Sequence, residues 1–239
     1  MNLKSLPADC LVVVVGASGG IGLALVQALQ SALPQAEVVG LSRRSQPALD
    51  LQDEASLAQA AAYLRQRCEA SGRTLRLVIN AAGTLHTPYQ PEKSWAHLDI
   101  ATMAQVFAIN AMGPALLMKH LLPLLPRQGK AVFATLSAKV GSIGDNRLGG
   151  WYSYRASKAA LNQLVRTAAI ELRRSHPSAL CVALHPGTVH TALSKPFSKS
   201  GLDVVSPEQA AERLLQVIDG LTASDSGGFF NLDGSPLPW

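Results

Sequence analysis

Tyr154 and Lys158 lie four residues apart in Tyr154-Arg155-Ala156-Ser157-Lys158, which puts a phenol and an ammonium group on one helix face. Such a pair can move a proton, the phenol as donor or acceptor and the cation as the charge beside it. A second stretch has the chemistry of anion binding. Gly16-Ala17-Ser18-Gly19-Gly20-Ile21-Gly22 follows an apolar run and opens a helical one. Glycines there let backbone N–H groups approach a phosphate at a helix N-terminus, where the dipole also favours negative charge. The spacing is G-x-x-x-G-x-G rather than G-x-G-x-x-G, and the Lys-Ser/Thr ending of an NTP-binding loop is missing. About twenty residues on, where an NAD site places a carboxylate against the ribose hydroxyls, the chain reads Leu41-Ser42-Arg43-Arg44. A guanidinium at that point suits bidentate contact with the 2′-phosphate of NADP.

The elements that must position these groups alternate. Short apolar, β-branched runs predict strands over 11–15, 37–41, 75–79, 131–136, 180–184 and 228–232. Helical spacing predicts helices over 22–33, 56–69, 99–125, 153–174 and 207–218. Strand–helix alternation from end to end implies parallel strands joined by right-handed crossovers, hence one doubly wound α/β domain over 1–239. Tyr154 then opens a helix just beyond a strand's C-terminal end, where such folds bind ligands. At 239 residues with 48% hydrophobic side chains, the chain has ample material for a core and is not a disordered protein. Charged residues make up only 15%, against roughly 25% on average, which points to a surface partly covered by another subunit.

The net charge of +5 is spread as isolated pairs such as Arg173-Arg174, with no basic stripe, so no nucleic-acid partner is expected. Six histidines show no H-x-x-x-H spacing, and Cys10, Cys68 and Cys181 are far apart. Neither a metal site nor a disulfide framework is expected, as befits a reducing cytoplasm. No membrane span or secretory signal is expected either.

Taken together, these motifs resemble the short-chain dehydrogenase/reductase superfamily along nearly the whole chain. The resemblance rests on Gly16-x-x-x-Gly20-Ile21-Gly22, Asp50-Leu51 after a third strand and Asn80-Ala81-Ala82-Gly83 after a fourth. Asn110 in the long helix, Tyr154-x-x-x-Lys158 and Pro186-Gly187-Thr188 complete it. The segments 141–146 and 149–155 are similar to the C-factor-like branch, which also contains carbonyl reductases. The resemblance implies a single-domain Rossmann fold with a mostly parallel sheet of about seven strands. It also implies an NADP(H)-dependent oxidoreductase interconverting an aldehyde or ketone and an alcohol, assembled as a homodimer or homotetramer through the 99–125 and 153–174 helices. A dinucleotide-binding signalling or regulatory protein on the same fold is the alternative.

By the same resemblance, Tyr154 is the general acid/base, and Lys158 lowers its pKa and holds the nicotinamide ribose. Asn110 would hold a water linking Lys158 to solvent. Gly16, Ser18, Gly19, Gly20, Ile21 and Gly22 would cradle the pyrophosphate, and Ser42, Arg43 and Arg44 the adenosine end. Asp50, Leu51, Asn80, Ala81, Ala82, Gly83, Pro186, Gly187, Thr188, Val189 and Thr191 would line the rest of the cofactor site. One position departs from the pattern. The family carries a Ser pair at the end of the strand before Tyr154, the second member orienting the substrate carbonyl. Aligning on Gly141 puts Ser137 at the first position and Ala138 at the second. Ser137 is therefore the expected orienting residue and Ser142 the alternative. Substrate-pocket loops are expected over 85–90, 142–151 and 189–206, with a short lid over 191–206, and His190 as a candidate facing the substrate.

Overall fold

Leu11–Val15 is five apolar residues, four of them β-branched, with no polar face to give to water. It forms β1, buried at every position. This computed structural model describes residues 3–85, 90–191 and 204–239. The strands are β1, β2 (Glu37–Leu41), β3 (Leu75–Asn80), β4 (Ala131–Leu136), β5 (Ala179–Leu184), β6 (Thr188–Val189), β7 (Val204–Val205) and β8 (Phe229–Phe230). The helices are α1 (Gly20–Ala32), α2 (Glu54–Ser71), α3 (Ile100–Phe107), α4 (Gly113–Leu121), α5 (Tyr152–Ser175) and α6 (Pro207–Gly220).

Six strands make one sheet in the order β2-β1-β3-β4-β5-β8, parallel at every pairing, while β6 and β7 form a separate parallel pair. Side chains alternate between two cores. Val12 and Val14 pack with α1 and α6 residues such as Leu25 and Leu214. Val13 and Val15 pack with Leu57 of α2, Leu117 of α4 and Val165 of α5. The chain leaves β1 for β2 on one side and returns to β3 on the other, so the crevice at the topological switch point opens at the carboxyl ends of β1 and β3.

Two expectations are corrected. The main sheet has six strands, in keeping with the seven or so expected, but no third strand lies between β2 and Asp50. The segment turns back on β2 instead: Ser45 Oγ lies 2.8 Å from the Ser42 carbonyl and 2.7 Å from that of Pro47, and Leu49 N–H donates to Ser42 O. Pro47, with no N–H to give, could not serve a central ladder. The single helix expected over 99–125 is instead α3, a π-turn over Ala108–Met112, α4 and a final 3-10 turn. Pro114 sits in the first turn of α4, where its missing N–H costs nothing, so the ladder is reset just before it.

Ile100–Leu124, at 25 residues, is long and apolar enough to cross a membrane by length and composition. Length and composition alone do not make it a span, since a core helix passes the same test. Val106, Ala111, Leu117 and Leu121 are buried inside the fold, as is the polar Asn110.

Candidate active site

Two cavities are lined by residues that follow the carboxyl ends of the strands. The first, about 480 Å³, runs from Gly16, Ser18 and Gly19 past Ser42 and Arg43 to Asp50 and Leu51, and back along Ala81, Ala82 and Gly83. Gly16 is where the chain must turn. Its φ is +83°, and a Cβ there would lie 2.7 Å from the backbone N of Ala82, so only glycine lets the turn pack on the segment after β3. Gly19 is the N-cap of α1 and brings no side chain to cap it, which leaves the helix's first N–H groups free for an anion. Gly20, Ile21 and Gly22 form the first turn of α1 rather than the cavity wall.

Arg43 stands on the cavity wall, exposed and without an ion pair among the described residues, whereas Arg44 does not line it. Asn80 lies below the cavity. Its amide donates to Thr135 Oγ1 at 3.0 Å and accepts from Ala82 N–H at 3.2 Å, which shapes the backbone that follows β3. Thr84, Gln52 and Gln105 also line the cavity and escaped the sequence reading. Thr84 and Gln52 directly follow Gly83 and Leu51, so adjacency was the available signal.

The second cavity, about 530 Å³, lies over Tyr154 and is within the range of small-molecule sites. Ile21, Pro186, Gly187, Thr188, Val189 and Thr191 line one side, with Thr191 Cγ2 packed close over Gly20. Ser137, Ala138, Leu148 and Trp151 line the other. The middle of the expected 85–90 loop with His86, and most of the expected lid, lie outside the described residues.

Lys158 is buried, its Nζ 5.9 Å from the centre of the Tyr154 ring and donating to the Leu136 carbonyl at 2.9 Å. Burial pushes Lys158 down to about 8 and Tyr154 up to about 12. In the chain by itself, desolvation therefore outweighs the lowering of the phenol expected from the neighbouring ammonium. Tyr154 still keeps an edge open to the cleft.

Asn110 sits in the π-turn, a distortion often found at functional sites. Its Oδ1 accepts from Thr84 N–H at 2.8 Å, and its Nδ2 donates to Thr84 O at 2.8 Å and to Ser157 Oγ at 3.2 Å. It thus clamps the 83–84 backbone to the face of α5 that carries Lys158.

Ser137 and Ser142 behave differently from expectation in detail. Ser137 lines the Tyr154 cavity, but its hydroxyl donates to Asn162 Oδ1 at 2.6 Å inside the protein. Ser142 is buried, donates to the Trp239 carbonyl at 3.3 Å and does not line the cavity. His190 is exposed and lies outside the cavity wall, while His185, not singled out from the sequence, is part of it.

The start of α5 is held from a distance. Gly149, Gly150 and Trp151 all adopt positive φ, and for Trp151 at 53° this is a strained conformation. Trp151 cannot cap the helix with its side chain. Glu92 does so instead, accepting from Ser153 N–H at 3.2 Å and from Ser153 Oγ, while its own carbonyl takes Trp151 N–H at 2.6 Å. Glu92→Ala is expected to lower stability by about 1.5–3 kcal/mol, the worth of hydrogen bonds to a buried charge. Urea unfolding measures this, and an unchanged midpoint would refute the capping role.

Comparison with known proteins converges on one family. The family model for short chain dehydrogenases matches residues 10–202. C-signal of Myxococcus xanthus is 39% identical over 143 residues, covering 59% of this chain and 81% of that protein. The 1-hydroxy-2-glutathionyl-2-methyl-3-butene dehydrogenase of Rhodococcus sp. (strain AD45) is 32% identical over 237 residues, covering 95% and 99%. Among solved structures, an NADPH-bound carbonyl reductase from chicken fatty liver superposes with a TM-score of 0.82 at 30% identity, over 96% of this chain and 94% of that one.

Proposed function

The chain belongs to the short-chain dehydrogenase family, and from that premise we propose that it interconverts an aldehyde or ketone and its alcohol with NADP(H). The observation that carries this reading is the pair of cavities, one lined by the glycine turn and Arg43 and the other by Tyr154, with buried Lys158 next to that ring. The residues of the first cavity fit a nicotinamide dinucleotide. A backbone cradle that a Cβ would fill, an uncapped helix start and Arg43, without an ion pair among the described residues, suit its phosphates. NADPH, when bound, supplies the hydride.

The remaining steps belong to the protein. Tyr154 donates its phenolic proton to the carbonyl oxygen in reduction and takes it back in oxidation. Lys158 holds positive charge beside the phenolate this leaves. Asn110 keeps the 83–84 wall against α5, and the apolar residues Leu85, Leu148 and Trp151 favour a carbonyl with a hydrophobic body. The experiment is a screen of aldehydes, ketones and quinones for NADPH oxidation by the purified chain.

The pH profile tests Lys158. Its pKa is depressed by burial, so its charge is present below about pH 8 and lost as pH rises through that value, while Tyr154 stays protonated until about 12. Because kcat/KM reports groups of the free enzyme, kcat/KM for NADPH is expected to be level below pH 8 and to fall above it. A profile flat to pH 10 would contradict this role.

The assembly we infer is a dimer or tetramer through the 99–125 segment and α5. Met112 and Ile170 are exposed there, beside half-buried Leu116, Leu164 and Ala168. Light scattering at micromolar concentration checks it, and a monomer would rule it out. A second reading, a dinucleotide-binding signalling protein, draws on the likeness to C-signal. Tyr154, Lys158 and Asn110 all being present favours the enzyme, and carbonyl-dependent NADPH consumption separates the two.

A further inference from the structure

Tyr154 is the third residue of α5, in the turn where a helix has no N–H partners of its own and frays most easily. Lys158, one turn deeper, is buried and anchored on the Leu136 carbonyl. The hydroxyl that must meet a carbonyl oxygen therefore stands in the weakest part of the helix. Trp151, the N-cap, gives no side-chain bond, and α5 has no acidic residue in its first turn. The carbonyl side of this turn is held locally. Ser157 Oγ donates to Tyr154 O at 2.8 Å, and Arg155 N–H to Trp151 O at 2.8 Å.

Glu92 holds the N–H side. Its carboxylate takes Ser153 N–H at 3.2 Å and Ser153 Oγ, and its carbonyl takes Trp151 N–H at 2.6 Å. Both Glu92 and Ser153 are buried, and Glu92 has no ion pair among the described residues. Burying a carboxylate is costly, and Ser, Asp or Asn at position 151 would cap the helix without that cost. What Glu92 adds is a link to another part of the site. Glu92, Thr84, Leu85, Ser153 and Tyr154 line one small cleft, and Leu85, Trp151 and Tyr154 also line the carbonyl cavity. Asn110 makes a matching link one turn along, from Thr84 to Ser157.

We propose that Glu92 is a positioning residue of this chain. By holding the N–H groups of Trp151 and Ser153 it sets where α5 begins, and so where the Tyr154 hydroxyl and the Trp151 ring stand in the carbonyl cavity. It acts through these residues and moves no proton itself. The reach of its side chain, rather than its charge, does the positioning.

The proposal rests on the carbonyl-reductase reading. Its test is NADPH oxidation by the full chain with the aldehyde, ketone and quinone panel, in the parent, Glu92→Ala, Glu92→Gln and Glu92→Asp. The rate is taken at saturating carbonyl and counted per molecule that binds NADPH, so unfolded protein does not enter. Gln keeps the length and an acceptor oxygen and loses the charge, whereas Asp keeps the charge and is one methylene short. A misplacement of about 1 Å can cost about a hundredfold, so Glu92→Ala is expected to lose about a hundredfold in kcat. Its NADPH affinity should change less than about threefold, because the glycine turn and Arg43 line the other cavity. Glu92→Gln should keep at least about a third of parent kcat, and Glu92→Asp no more than about a tenth. A cap that served stability alone would lower the urea midpoint and leave this rate at the parent value.

Parent kcat in Glu92→Ala overturns the proposal and leaves the reductase reading intact. So does Glu92→Asp matching or exceeding Glu92→Gln, since charge rather than reach would then set the rate. That comparison decides if the Ala variant no longer binds NADPH. A parent that oxidises no NADPH with any carbonyl ends both.

Discussion

Tyr154→Phe is expected to lower carbonyl-dependent turnover about a thousandfold or more while leaving NADPH affinity nearly unchanged. Phe keeps the edge-on packing against Trp151, whose ring centre is 6.2 Å away, and removes only the hydroxyl. Among the described residues of the cavity wall, Tyr154 is the only phenol. Lys158→Ala should behave differently and damage both turnover and NADPH binding, because one charge serves the phenolate and the bound cofactor. It also leaves the Leu136 carbonyl without its 2.9 Å donor. Stopped-flow turnover and fluorescence titration of NADPH separate the two patterns. Comparable turnover in Tyr154→Phe and the parent would remove Tyr154 from the mechanism.

NADPH is expected to bind at least about tenfold more tightly than NADH, with the preference residing in Arg43. Charge-assisted hydrogen bonds contribute roughly 1.5–3 kcal/mol, which is about ten- to hundredfold in affinity. No carboxylate stands between Val38 and Arg44 to repel a 2′-phosphate. Arg43 follows Ser42 onto the wall of the first cavity, while Arg44, the next residue, does not line it. Titration of both cofactors against the parent, Arg43→Ala and Arg44→Ala at fixed ionic strength checks this. Equal affinities in the parent refute the cofactor preference, and a loss confined to Arg44→Ala refutes only the residue.

What could be read from the sequence follows from how local each signal is. Leu11–Val15, the glycine turn and the Tyr154/Lys158 spacing are short-range patterns, and each lies where the pattern put it. The lack of a third strand between β2 and Asp50 turned on hydrogen bonds of Ser45 and Leu49 back to Ser42, which hydrophobic runs do not encode. The break in the long helix was marked by Pro114, but the π-turn that carries Asn110 was not. Glu92 capping α5 joins residues 61 apart in sequence, and Ser137 meets Asn162 across 25. Such pairings become visible only once the sheet sets β4 against α5. Of the two histidines near Pro186, the sequence favoured His190, because it lies on the loop side. The pairing of β4 with β5 brings His185 to the cavity instead.

The central claim is that this chain reduces a carbonyl in the cavity over Tyr154. The most direct measurement is NADPH consumption by the purified chain with a carbonyl panel, with the alcohol product quantified alongside. One class of aldehyde, ketone or quinone is expected to drive NADPH oxidation, with one alcohol formed per NADPH consumed. Tight NADPH binding with no carbonyl-dependent consumption across the panel would contradict it and leave a dinucleotide-binding protein without this activity.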